Sequence, residues 1–136
     1  MIYRPTIFYT SALLLATLLI FSCSNEQKGK NGKTVVKIAE RTYAFGTIKQ
    51  TDSIKHNFTI RNSGDVPLSI GSVVVSCGCT TPKWPKKPIE PGKTAIISVT
   101  FKPGTTNSGH VNKSIIVKAN TPEIFHVFYL DGNVII

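Results

Sequence analysis

From Thr34 onward the chain falls into short β-rich runs, and in several of them apolar side chains recur at every second position, the mark of strands packed on one face. Ile54, His56, Phe58 and Ile60 share one parity; Lys55, Asn57, Thr59 and Arg61 share the other. Ala95, Ile97, Val99 and Phe101 repeat the pattern, with Thr94, Ser98 and Thr100 opposite. One apolar and one polar face predict antiparallel sheets covered on a single side. Strands are expected over Thr34–Ala39, Tyr43–Ile48, Ser53–Arg61, Leu68–Ser76, Thr94–Phe101, Val111–Ala119 and Phe125–Val134. Asn62-Ser63-Gly64-Asp65 and Lys102-Pro103-Gly104 carry turn chemistry, and Asp65 and Asp131 read as turn residues. No helical period appears in this part of the chain. Seven short strands predict an all-β, immunoglobulin-like antiparallel sandwich over residues 34–136. The Cys…Trp…Cys spacing of antibody domains is missing, so packing alone is expected to hold its core.

The first 22 residues read differently. Arg4 precedes Ile7–Phe21, a nearly unbroken apolar run that ends at small residues. A spanning helix wants about 20 apolar residues. This shorter run has the layout of a helical secretory signal peptide, residues 1–22. Ile20-Phe21-Ser22-Cys23 resembles a bacterial lipobox, in which the Cys sulfur receives a diacylglyceryl group and cleavage precedes the Cys. Palmitate-type acyl chains on Cys23 would hold the chain to a membrane, since each buried methylene is worth about 0.8 kcal/mol and two or three chains anchor firmly. Residues 23–33 are then the lipidated Cys and a polar, glycine-containing tether. The expected location is the cell envelope, lipid-anchored, on the outer membrane facing the periplasm. The whole chain of 136 residues carries 16 Lys+Arg against 7 Asp+Glu. In an exported protein that excess suits solubility beside an anionic surface, and no nucleic-acid partner is expected.

Cys77-Gly78-Cys79 is the one chemical constellation. In an extended strand both thiols would share a face with Cα atoms about 6.6 Å apart, near the upper limit for a disulfide. Gly78 permits the bend that closes the gap. A bond across three residues would stabilise by only about 1.6 kcal/mol in the chain-entropy treatment. The pair is therefore readable as a local disulfide, as free thiols, as a reducible redox pair, or as a Cu(I) site, the last because thiolates suit soft ions. Zinc would require further ligands. His56 falls on the apolar face, and neither it, His110 nor His126 can be placed beside the cysteines; the only Met is Met1. No other cofactor is implied.

Phe58-Thr59-Ile60-Arg61-Asn62-Ser63-Gly64-Asp65-Val66-Pro67-Leu68, Ser76-Cys77-Gly78-Cys79-Thr80, and Pro91-Gly92-Lys93 before a strand ending Val99-Thr100-Phe101-Lys102-Pro103 together resemble a bacterial lipoprotein family called domain of unknown function 1573. The resemblance covers Phe45 to Val134. It implies an immunoglobulin-like, Hydin-type sandwich and an envelope location, and it implies no activity.

Nucleophile elbows, phosphate loops and His-Glu-x-x-His are absent from the sequence, so no catalytic residue is assigned. The expected role is a non-catalytic binding or structural module for an envelope protein, with thiol-redox or Cu(I) chemistry at Cys77 and Cys79 as the alternative. Lys83-Trp84-Pro85-Lys86-Lys87 is the one basic cluster. Trp84 there either anchors a partner, with Lys83, Lys86 and Lys87 beside it, or lids one end of the sandwich.

Overall fold

The computed structural model describes residues 32–105 and 107–136. The signal segment, Cys23 and the tether up to residue 31 lie outside them. Eight strands follow in order: β1 (Val36–Ile38), β2 (Thr42–Lys49), β3 (Ile54–Asn62), β4 (Ile70–Val75), β5 (Thr80–Lys83), β6 (Thr94–Phe101), β7 (Gly109–Ala119) and β8 (Phe125–Ile135). Sheet I has the order β1-β3-β6-β5 and sheet II the order β2-β8-β7-β4.

The apolar parity of the sequence becomes the core. Phe58 of β3 and Ile97, Val99 and Phe101 of β6 are fully buried from sheet I, against Ile115 of β7 and Phe128 and Leu130 of β8 from sheet II. Ring centroids of Phe58 and Phe128 lie 5.0 Å apart, in the range that aromatic pairs favour.

Three features depart from the sequence expectation. First, β5 is an additional strand, lying where the sequence predicts none between Ser76 and Thr94. Lys102 N–H donates to Cys79 O, so by ladder alternation Thr81 and Lys83 bond to β6 while the Pro82 nitrogen faces away from it. A proline costs nothing there, because no N–H is wanted. Second, β2 lies parallel to β8, so sheet II is mixed rather than antiparallel. A parallel neighbour needs a long crossover, and every strand from β3 to β7 lies between these two in the chain. Third, Asp131 sits inside β8 rather than in a turn, opposite Asn112 of β7.

The β2–β8 register shifts between Ala44 and Gly46, where Gly46 takes φ +72°. The bulge switches side-chain parity, so Tyr43 and Phe45 before it and Ile48 after it all pack against the core. That is why β2 alternates less cleanly than β3.

Candidate functional site

Val75 ends β4, and the chain turns through Ser76–Cys79 into β5. Ser76 N–H donates to Ser114 O, and Thr80 N–H to Cys77 O, closing the turn. The bend at Gly78 brings the Cys77 and Cys79 Cα atoms to 5.2 Å, and the two sulfurs form a disulfide. Gly78 is exposed, and a Cβ there would meet nothing within 4 Å. Thr80 Oγ1 lies 3.6 Å from Cys77 Sγ. Among the described residues no three His, Cys, Asp or Glu side chains converge as a metal site.

Trp84 follows on the way out of β5. It is half-buried and packs against the core, with Lys86 Nζ 3.3 Å from its ring centroid. Its Nε1 is buried without an acceptor. Lys86 thus covers one ring face while another part of the ring packs on the core, an arrangement compatible with the lid and with a partner anchor alike. Lys83, Lys86 and Lys87 are exposed around it.

The histidines lie on other elements and are engaged there. His56 stacks on Tyr43 at 3.8 Å, meets the Phe58 ring edge-on, and pairs with Glu40. His110 contacts Asp131 Oδ1 at 3.2 Å. His126 is buried under the turn before β8. Thr121 Oγ1 donates its single proton to Glu123 O at 2.6 Å, so it accepts at 2.8 Å from His126 Nε2–H. Nδ1 is then a bare acceptor, buried without a partner, 3.6 Å from Glu123 Oε2.

Burial pushes the His126 pKa below 6.5; the Glu123 carboxylate pulls it up, and Arg41 adds to the lowering. The folded state thus binds a proton less readily than the unfolded chain. The resulting stabilisation is present above pH 6.5 and is lost as pH falls through the lower folded value. Urea midpoints are expected to drop between pH 7 and pH 5, and His126→Leu should flatten that slope; equal slopes in both proteins would refute the assignment.

Sheet I ends at β5, whose outward Thr80 N–H is taken by Cys77 O and whose Pro82 has no N–H. Its other edge, β1, is three residues long. Sheet II ends at β2, whose eight residues are interrupted by the bulge at Ala44–Gly46, and at β4. Ser76 bonds to Ser114, so alternation puts Val74 in a bonded pair with Ile116 and turns the Val73 and Val75 N–H and C=O groups away from β7. Ile70–Val75 carries no charge and no proline. Val74, on the outer face, is 57% exposed. Sequence alternation marks β4 as a strand but cannot mark it as an edge, since edge status depends on sheet order.

Two four-stranded sheets closing on one apolar layer define an immunoglobulin-like β-sandwich. The chain belongs to the family described as Protein of unknown function (DUF1573), whose model matches residues 36–134. No curated protein matches the sequence significantly. Among solved structures, the chain is similar to a protein of unknown function from Porphyromonas gingivalis W83, at 18% identity and TM-score 0.67, covering 74% of this chain and 47% of that one. It thus spans about half the length of that protein. It is also similar to the ASH/PapD-like domain 7 of human CEP192, at 18% identity and TM-score 0.56, covering 76% of this chain and 87% of that domain. A third likeness is to the CsuC-CsuE chaperone–tip adhesion subunit complex of Acinetobacter baumannii Csu pili, at 10% identity and TM-score 0.51, covering 75% of this chain and 57% of that one. These likenesses concern the fold.

Proposed function

We propose that this chain is an exported envelope protein, lipid-anchored through Cys23 at the outer membrane, whose sandwich binds an extended segment of an envelope protein on the free edge of β4. The observation that carries the reading is the uncharged, proline-free β4 edge past its bulge at Ile70–Ser72. Proteins normally blunt an exposed edge with charge, proline or short length. Here β5 is blocked, β1 is short and β2 is interrupted mid-strand by its bulge, whereas β4 beyond Ser72 offers the Val73 and Val75 backbone groups beside apolar side chains. An added strand gains main-chain hydrogen bonds for affinity and side-chain contacts for specificity. The Cys77–Cys79 disulfide supports export, because such bonds persist in oxidising compartments.

Two measurements test this. Mass spectrometry of the mature amino terminus should find acyl chains on Cys23, and Cys23→Ser should move the protein out of the membrane fraction. A photo-cross-linker at position 74 in envelope-resident protein should give one discrete adduct, and affinity capture of the same partner should be lost in Val74→Lys but kept in Cys77→Ser. An unacylated terminus sinks the anchoring; capture that survives Val74→Lys sinks the edge.

One observation favours a second reading. The disulfide closes a ring of only three residues around exposed Gly78, so it adds little stability and is easily reduced. In thiol exchange, a substrate dithiol would leave as a disulfide while Cys77 and Cys79 become thiols, two electrons and two protons passing to them. Reduced, the two thiolates would also suit Cu(I). Capture lost in Cys77→Ser but kept in Val74→Lys selects this reading.

A further inference from the structure

The outer face of sheet I carries Lys37, Lys55, Arg61 and Lys83, with Thr, Ser, Asn and Ile96 between them and no carboxylate. Lys37 of β1 is directly opposite Arg61 of β3, and Arg61 is directly opposite Thr94 of β6. Ala39 N–H donates to Thr59 O and Ser63 N–H to Val35 O, so Lys37 and Arg61 form the hydrogen-bonded pair between them, with Cα atoms about 5.5 Å apart. Like charges placed directly opposite on one face are destabilising. Among the described residues no carboxylate pairs with Lys37 or Arg61. Among the described residues every carboxylate within ion-pair distance of a basic group is held by a histidine, and none by Lys or Arg. Glu40, the nearest acidic residue in sequence to Lys37, is engaged by His56.

The same row lines a groove of about 260 Å³ whose wall is Lys37, Ile38, Ala39, Thr59, Arg61 and Thr94. Water occupies about 30 Å³ per molecule in the liquid, so the groove has room for an oxyanion together with part of its carrier. A guanidinium fork matches two oxygens of a phosphate, an ammonium adds a point charge, and hydroxyls donate to the remaining oxygens.

We propose that the Lys37–Arg61–Thr94 row is a binding site for a phosphate-type oxyanion. The anion sits between the two cations, cancels their repulsion, and accepts from the hydroxyls of Thr94 and Thr59. This site is on the other sheet from the β4 edge and does not depend on the docking of a strand there. The phosphate has two sources, a lipid headgroup or a soluble phosphate ester, and β1 is the first strand after the tether.

The test is a titration of the full-length protein in neutral detergent with inorganic phosphate, read by NMR shifts, against chloride at equal ionic strength. Saturable shifts should be confined to Lys37, Arg61, Thr94 and their neighbours. Arg61→Gln should raise the half-saturating concentration by about tenfold, as expected for loss of a charge-assisted pair. Arg61→Lys should fall between, and Lys118→Gln on sheet II should change nothing. In lipid nanodiscs the sources separate. Phosphatidylglycerol discs should raise half-saturation relative to detergent if the headgroup already fills the row, and leave it unchanged if the ligand is soluble. Shifts that fail to saturate, or that spread equally over Lys83, Lys86, Lys87 and Lys118, would overturn the site.

Discussion

Asn62→Ala is expected to lower the unfolding free energy by about 3 kcal/mol, visible as an earlier urea midpoint. Asn62 is fully buried at the end of β3 and uses every polar group it has. Its Nδ2 donates to Val66 O and to Ile89 O, each at 2.8 Å, and its Oδ1 accepts from Gly64 N–H at 3.0 Å. Its backbone N–H donates to Lys93 O and its C=O accepts from Gly92 N–H. One side chain therefore fixes the Asn62–Leu68 turn and pins it to the segment entering β6. Each hydrogen bond is worth about 1 kcal/mol net, and partners left buried and unpaired add to the loss. Asn62→Asp should be worse still. It keeps the acceptor for Gly64 but removes both donors and places a carboxylate where no water reaches. If Asn62→Ala unfolds with the wild-type midpoint, the turn is held by something else, and the Leu68–Ile89 bridge is the next place to look.

Much of this fold is legible because alternation is a local property. β6 occupies Thr94–Phe101 as its pattern predicts, and β3 and β7 differ from theirs by a residue or two at the ends. The features that escaped are those set by distant neighbours. β5 is absent from the predicted strands because prolines disfavour a ladder by removing a donor, yet Pro82 stands at the one parity in β5 where no donor is needed. Asp131 looks like a turn former, but its place is decided by Asn112, which donates to its Oδ1 at 2.9 Å across the β7–β8 pair. That bond, with His110 adding to it, holds the Asp131 carboxyl below the usual carboxylate range. Asn62-Ser63-Gly64-Asp65 is recognisable as a turn, but the burial of Asn62 depends on Ile89, a residue remote in sequence. Lys37 and Arg61 look like two scattered cations until the β1–β3 register sets them face to face. The Cys77–Cys79 disulfide is one of the four states that the spacing leaves open, and spacing alone does not choose among them.

The β2 bulge supplies the other large effect. Gly132 in β8 lies where the ladder shifts, opposite Gly46. A Cβ at Gly132 would come within 2.4 Å of Phe45 Cε2 and 2.6 Å of Gly46 O. The ring could swing aside, but the Gly46 carbonyl belongs to a backbone already committed to positive φ. Gly132→Ala must therefore displace either Phe45 from Phe101, whose ring centroids are 5.8 Å apart, or β2 from β8. Overpacking of this kind costs about 1–3 kcal/mol, and the backbone contact argues for the upper end. The two routes are separable. If the ring is the obstacle, Phe45→Leu should absorb part of the loss, giving a coupling of about 1 kcal/mol in a double-mutant cycle. If the carbonyl is the obstacle, the losses add, and hydrogen exchange should rise along Thr42–Lys49 while β3 and β6 stay protected. A Gly132→Ala protein as stable as the parent would mean that β8 passes β2 with more clearance than the bulge allows.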